Sequence, residues 1–181
     1  MIAGEGVRLR RAEPGDVEFI VALLQHEEVE PFLAAMTPRE PDEILAEVQR
    51  SLAEPEQLGR FVIEAEAGGE WLRAGLVGFE LRNRRNRIAF LHRFALHPDF
   101  RGRGLGDAAA RLLQRYLVFE LDYHRLELEV YGFNERAIAH AERAGFVREG
   151  VKRKAYRRND EWVDSVLFGL VREDLEEPTV E

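Results

Sequence analysis

Apolar residues fall along this chain in two periods. Alternation and short apolar runs mark strands at Val7–Arg11, Phe61–Glu66, Ala74–Leu81, Ile88–Leu96, Arg125–Tyr131, Val147–Tyr156 and Val163–Leu170. Val17, Ile20, Val21 and Leu24 recur at three- and four-residue spacing, so Pro14–Gln25 reads as a helix. Ile44, Leu45, Val48 and Leu52 place a second helix over Asp42–Leu52, with Pro55 soon after. A third, Leu105–Leu121, is expected to bury Ala108, Ala109, Leu112, Leu113 and Tyr116. Residues 26–40 carry two prolines and read as a loop or broken helix. Gly68-Gly69 is a turn, Arg82–Arg87 a polar connection, and His97-Pro98 ends the central strand because proline lacks the N–H a sheet ladder needs. The pattern predicts one α/β domain over residues 1–175, a mixed sheet flanked by helices. Residues 176–181 form an acidic end expected to fray.

The chain has 181 residues, enough for one domain with a real core, and its 45% hydrophobic content argues against disorder. The absence of cysteine excludes a disulfide framework, a thiolate nucleophile and a Cys-rich zinc site. A net charge of −8 argues against general nucleic-acid binding and suits a cationic substrate. No apolar run reaches membrane-span length and no signal-like segment opens the chain, so a cytoplasmic location is expected.

The stretch that carries chemistry is Asp99-Phe100-Arg101-Gly102-Arg103-Gly104-Leu105-Gly106. A glycine-rich turn from strand to helix lets backbone approach a ligand. The helix start behind it offers unpaired N–H groups and the positive end of the macrodipole. No Ser, Thr, Asp or Asn lies among residues 100–106 to cap those groups, so a phosphate is the expected partner. No Lys-Ser/Thr follows the glycines, which excludes a Walker A loop. The dinucleotide fingerprint fits loosely, with Asp107 at its third glycine position. Arg101-x-x-Gly104-x-Gly106 fits the pattern Arg/Gln-x-x-Gly-x-Gly without a gap; an ordinary surface turn is the competing reading.

That hexapeptide resembles the acetyl-CoA pyrophosphate loop of the GNAT N-acetyltransferase superfamily. Downstream, the strand Leu126–Tyr131 followed by Asn134-x-x-Ala137 and Gly145-Phe146 resembles the second GNAT signature. Asn134 is the expected N-cap of the short helix and Gly145 the residue just past its end. The tail from Glu149 through Tyr156 to Phe168 resembles the closing hairpin of the RimJ/RimL-like, ribosomal-protein acetyltransferase branch. The resemblance spans roughly residues 6–175. It implies a splayed single-domain GNAT sheet, with acetyl-CoA wedged where two strands part.

It also implies attack of a primary amine on the acetyl-CoA thioester. The cofactor must be held, the ammonium must lose a proton, and the thiolate must be protonated or stabilised. The backbone of Gly102, Arg103, Gly104, Leu105 and Gly106 would take the pyrophosphate, with Arg101 or Arg103 adding charge. The backbone of Phe94, Ala95 and Leu96 would pair with the pantetheine arm, and Asn134 would help hold the arm or its phosphate end. Glu129 matches the base proposed in RimI-like members, and its neighbours Leu128 and Val130 imply burial that raises its pKa toward neutrality. Glu80 and His92 are the other candidate bases; a solvated face of Glu127, Glu129 and Tyr131 is the competing reading. The family's usual tyrosine acid is replaced by Ala141, preceded by His140, and the serine of RimL-like members by Ala137. Tyr156, Tyr131 or water would then serve the thiolate, whose unperturbed pKa is near about 8.5.

Three charge runs have double readings. Glu27, Glu28 and Glu30 either draw a cationic substrate or are solvated. Arg82–Arg87 and Arg148–Arg158 either meet an acidic partner or the 3′-phosphate of CoA, or form hairpin edges. The expectation is an acetyl-CoA-dependent N-acetyltransferase acting on a protein N-terminal amine, or on a small amine such as a polyamine, aminoglycoside or amino acid. No metal, nucleic acid or membrane partner is expected, and a homodimer is left open. The rivals are a non-catalytic acyl-CoA-binding module and a nucleotide-binding protein using the loop for ATP or NAD.

Overall fold

The computed structural model describes residues 1–34 and 37–175, so the expected fraying tail 176–181 lies outside the described residues. Eight strands make one mixed sheet: β1 (Ile2–Ala3), β2 (Val7–Arg11), β3 (Leu58–Ala67), β4 (Glu70–Asn83), β5 (Ile88–Leu96), β6 (Arg125–Tyr131), β7 (Val147–Arg158) and β8 (Glu161–Val171). Their order is β1-β2-β3-β4-β5-β6-β8-β7, antiparallel except between β5 and β6. Among the described residues four α-helices flank it: α1 (Val17–Leu24), α2 (Pro41–Ala53), α3 (Leu105–Arg115) and α4 (Glu135–Arg143). The expected single-domain fold class is observed; β1, two residues long, is too short for any periodicity to announce.

Strand alternation sends side chains to two cores. Phe61, Ile63, Val77, Phe79 and Leu91 pack with Ala109, Leu113 and Leu117 of the α3 region. Val62, Leu76 and Ala95 pack with Ile20 and Leu24 of α1 and Ile44 and Val48 of α2. Helices on both faces therefore leave β3 buried from Leu58 to Ala65. On α2 the apolar stripe is narrower than expected. Leu52 is exposed, and Ser51 is buried instead, its Oγ accepting the Arg60 N–H at 2.8 Å.

The third helix departs from expectation at its end. After Arg115 the chain makes one wider turn over Tyr116–Glu120, where the Leu121 N–H reaches the Tyr116 carbonyl at 3.0 Å. Helical periodicity cannot distinguish a five-residue closure from a four-residue one over a single turn. The buried set accordingly becomes Ala109, Ala110, Leu113, Gln114, Leu117 and Val118.

β5 and β6 pair over only three positions, Ile88–Phe90 against Arg125–Glu127. Beyond them the strands part, which is the splay expected from the resemblance. On its other side β5 stays paired with β4, but a bulge intervenes: Gly78 opposes His92 while Leu76 opposes Ala95. Within the bulge Arg93 has φ +55°, a left-handed conformation costly for a side-chain-bearing residue. Its guanidinium is held by both carboxylate oxygens of Glu47 on α2, and Arg60 donates to the same carboxylate at 3.2 Å. Burial alone would raise the Glu47 pKa, but the hydrogen bond and charge of Arg93, with Arg60, hold it down at about 2.

A depressed carboxylate pKa stabilises the fold fully above the unfolded value, and that stability is lost as pH falls through the folded value. The fold should therefore lose stability between about pH 5 and the Glu47 value of about 2. Glu47→Gln should cost roughly 3 kcal/mol or more at pH 7 and flatten the acid limb, since it also strands two guanidinium groups. Denaturant melts of both proteins from pH 2 to 7 check this; an acid limb unchanged in the variant excludes the assignment.

Candidate active site

The parting strands open a cleft of about 410 Å³. Leu91, His92, Arg93 and Phe94 of β5 form one wall and Leu128, Glu129, Val130 and Tyr131 of β6 the other. Phe32, Leu33 and Thr37 roof it, α4 contributes Asn134, His140 and Ala141, and Tyr156 and Ser165 reach in from β7 and β8.

The glycine-rich loop follows β5, and a Cβ on Gly106 would stand 3.4 Å from His140 of the cleft lining. Gly102 (φ +74°) and Gly104 (φ +73°) are left-handed, which glycine adopts without steric cost. Gly104 is the N-cap of α3 and supplies no side-chain cap. The first bond of the helix runs from Ala108 N–H to the Gly104 carbonyl at 3.1 Å, so the N–H groups of Leu105, Gly106 and Asp107 lack helical acceptors. A Cβ at Gly102 or Gly104 would meet nothing within 4 Å, so the loop backbone is open to a ligand. Asp107, which would oppose an anion there, is turned toward α4: His140 Nε2 lies 3.3 Å from its Oδ1 and Arg143 Nε 3.3 Å from its Oδ2. Burial first lowers the pKa of His140, whose ring packs on Phe94 with centroids 4.9 Å apart.

Arg101 does not aim at this loop. Its Nε donates to the Leu96 carbonyl at 3.3 Å and its Nη1 to Glu28 at 2.7 Å, binding the roof segment to the loop. Arg103, the other expected source of charge, has its guanidinium over the Phe100 ring. Leu96 has its carbonyl occupied, and Ala95 is buried opposite Leu76. Asn134 caps α4, its Oδ1 accepting the Ala137 N–H at 3.1 Å. Gly145 (φ +91°) closes α4, with Phe146 N–H on the Ala141 carbonyl and Gly145 N–H on that of Glu142.

Glu129 reverses the pKa expectation. Burial does push its pKa up, but Lys152 at 2.6 Å, Tyr156 at 2.7 Å and Ser165 at 3.2 Å outweigh it, and the net shift is downward. Leu128 and Val130 do not decide its environment, because alternate residues of a strand point to opposite faces of the sheet. Lys152 and Ser165 stand directly opposite each other in the β7–β8 register, a pairing no local pattern announces. Tyr156, by hydrogen-bonding Glu129 and then by burial, is pushed up to about 12.

His92 is held neutral. Burial first, then the charges of Arg60 and Arg93, push it down to about 3. Arg60 Nη1 lies 3.1 Å from its Nε2. A guanidinium only donates, so Nε2 accepts and the ring proton sits on Nδ1, leaving no lone pair for an ammonium. Gly78 makes this contact fit: a Cβ there would stand 2.9 Å from Arg60 Nη1. Glu80 remains exposed on the cleft wall, opposite Phe90. Glu28 and Glu30 are not a free acidic lure, since Glu28 meets Arg101 and Glu30 meets Arg39 at 2.7 Å.

Residues 7–147 match the family model described as an acetyltransferase (GNAT) domain. The chain is 31% identical over 87 residues to an SPbeta prophage-derived uncharacterized N-acetyltransferase, YokL, of Bacillus subtilis (strain 168), covering 48% of this chain and 49% of that protein. It is 34% identical over 89 residues to the probable N-acetyltransferase YjcK of the same organism, covering 49% of each. The matches thus span about half the length of these curated relatives. Among solved structures, spermidine N-acetyltransferase from Vibrio cholerae, in complex with CoA and spermine, superposes with TM-score 0.81 at 22% identity over 94% of this chain and 98% of that one. Ribosomal-protein-S5-alanine acetyltransferase from Vibrio fischeri gives TM-score 0.80 at 16% identity over 97% and 98%. At such identities the likeness is one of fold.

The Arg60 contact makes a spectroscopic prediction. His92 should stay neutral from pH 8 down to about pH 4, with its proton on Nδ1. Nitrogen-15 NMR of labelled histidine reads both; a midpoint near about 6.5 would show a ring free of Arg60.

Proposed function

This chain belongs to the GNAT acetyltransferase family, and from that premise we propose that it is an acetyl-CoA-dependent N-acetyltransferase whose acceptor is a primary amine. One observation carries the proposal. β5, one wall of the cleft, leads into an uncapped helix start behind left-handed glycines, and a Cβ on Gly106 would stand 3.4 Å from His140 of the cleft lining, which supports a site where an extended chain ending in a phosphate finds both a strand edge and an anion-binding helix start. Among the described residues no group of three or more metal-ligating side chains forms, and no helix is long and apolar enough to cross a membrane.

In this mechanism the N–H groups at the start of α3 and in the Gly102–Gly104 loop bind the pyrophosphate. The cleft edge of β5 through Phe94 and Ala95 lines the pantetheine arm. Acetyl-CoA supplies the acyl group. Glu129, ionised and fixed by three donors, is too weak a base to strip a free ammonium ahead of attack. It orients the amine, and takes the nitrogen's proton once C–N bond formation has made that nitrogen acidic. Protonated, Glu129 can pass that proton to the Tyr156 oxygen as Tyr156 gives its own to the departing thiolate, so the proton lost by the nitrogen ends on sulfur and both side chains return to their resting state. Glu80 on the same wall is the alternative proton acceptor.

Acetyl-CoA should raise the melting temperature with concentration, because it binds the native state alone. Gly104→Val should raise its apparent constant at least about 10-fold while the amine constant holds; with open space around Gly104, the cause is strain at φ +73°, not a clash within the protein. Normal acetyl-CoA binding by a folded Gly104→Val protein removes the loop from the phosphate site.

Glu129→Gln should keep acetyl-CoA binding and lower turnover roughly 10²-fold. Because Glu129 is held ionised, wild-type kcat/KM should climb with pH toward the pKa of the amine itself. A pH–rate profile for Glu129→Gln that overlays the wild type in height and shape assigns the proton elsewhere, and Glu80→Gln is then the informative variant.

A further inference from the structure

Three large apolar side chains that the core does not take in meet at the open side of the cleft. Phe133 is 47% exposed, and Phe32 and Tyr156 are each 39% exposed. Tyr131 links them. Its ring stacks on Phe133 with centroids 5.4 Å apart and meets Tyr156 edge-on at 5.7 Å, while Phe32 lies 6.2 Å from Phe133. Single exposed apolar residues are ordinary, but a contiguous run of rings left open to water marks a surface that a ligand covers. Phe32, Tyr131 and Tyr156 all line the cleft, from the roof, β6 and β7. None of them belongs to the β5 edge assigned above to the pantetheine arm. The run also ends at the chemistry, because the Tyr156 hydroxyl donates to Glu129 Oε2 at 2.7 Å.

We propose that Phe32, Tyr131, Phe133 and Tyr156 form an aromatic collar that receives a ring on the acceptor, so that the substrate is a primary amine carrying an aromatic group a short tether from its nitrogen. The inference rests on the acetyltransferase reading and names its substrate class, either a free arylalkylamine or a peptide that begins with an aromatic residue. Aromatic rings packed edge to face attract one another beyond what the buried area alone supplies. The tether is short because the Tyr156 side chain touches Glu129 at its hydroxyl and Tyr131 at its ring. An amine nitrogen oriented by Glu129 therefore lies within a ring's length of the collar. The surrounding charges favour a monoamine. Guanidinium groups of Arg136 and Arg158 already lie over Phe32 and Tyr131, 5.5 and 5.9 Å from the ring centroids, and Lys152 already meets Glu129. A second ammonium on the acceptor would meet like charge at the collar, whereas a neutral ring would not.

Amine binding should be measured by calorimetry on the protein saturated with CoA, for the wild type, Phe32→Ala and Phe133→Ser. One arm pairs phenethylamine with ethylamine; the other pairs amidated peptides beginning Phe-Ala with those beginning Ala-Ala. Spermidine is the comparison for both. In at least one arm the aromatic member should bind at least about 10-fold more tightly than its partner, and that arm names the source. Phe32→Ala removes a ring of the lining, and Phe133→Ser removes the ring it rests on. Each should cut the preference at least about threefold. Both side chains are exposed, so neither change hollows the core. A smaller preference in both arms, a smaller cut in either variant, or tighter binding by spermidine than by the aromatic member overturns the collar. An acetyl-CoA melting shift on the same samples separates the two failures: with the shift present only the collar falls, and without it the acetyltransferase reading falls as well.

Discussion

Arg93 keeps a left-handed backbone in the middle of a strand because Glu47, one helix away, grips its guanidinium through both carboxylate oxygens. The position of the cleft follows from that grip. The bulge at Arg93 redirects β5 just past its last pair with β6, while β4 continues to hold it. Arg60 shares the Glu47 carboxylate and reaches His92, so one buried knot sets the bulge, silences an imidazole and ties α2 to the sheet. Such a charge cluster is a weak source of net stability, because desolvation offsets much of the attraction. What it contributes is a defined place for a strained residue at the mouth of a cleft.

Much of this architecture was legible in the chain. Ile88–Leu96 and Arg125–Tyr131 are strands to the residue, since their bounds are marked by Pro98 after one and by glycine and asparagine after the other. The Asn134 cap and Gly145 closure of α4 were equally visible, because both are local hydrogen-bond devices. Long-range polar choices were hidden. Arg101 resembles a phosphate ligand by position, yet it folds back to Leu96 and Glu28, a residue 73 positions away. Glu129 looked apolar-flanked in one dimension, whereas its neighbours in space come from β7 and β8. Sequence spacing reports which face a strand residue takes, but not which charges arrive there from other strands.

The roof, the glycine loop and the closing hairpin are joined by arginines. Arg101 binds the roof to the loop at Glu28, and Arg158 binds it to the end of β7 at the carbonyls of Glu30 and Pro31. Phe32 continues the same closure, resting 6.2 Å from Phe133, which stacks on Tyr131. The roof segment is thus tied at both ends, to the glycine loop and to the closing hairpin.

Lys152 and Lys154 are the only lysines in the chain, and both stand on edge strand β7. Reagents that attack lysine amines therefore meet these residues along one border, while arginine, which they spare, supplies the rest of the 26 lysine and arginine side chains. The two lysines differ in their company: Lys152 Nζ is bonded to Glu129 in the cleft wall, and the Lys154 backbone N–H is bonded to Asp164. Whatever displaces Lys152 from Glu129 changes the rate at which that one amine is labelled. Peptide mass mapping of Lys152 labelling, read against Lys154, thus reports on the state of the Glu129 contact in the cleft wall.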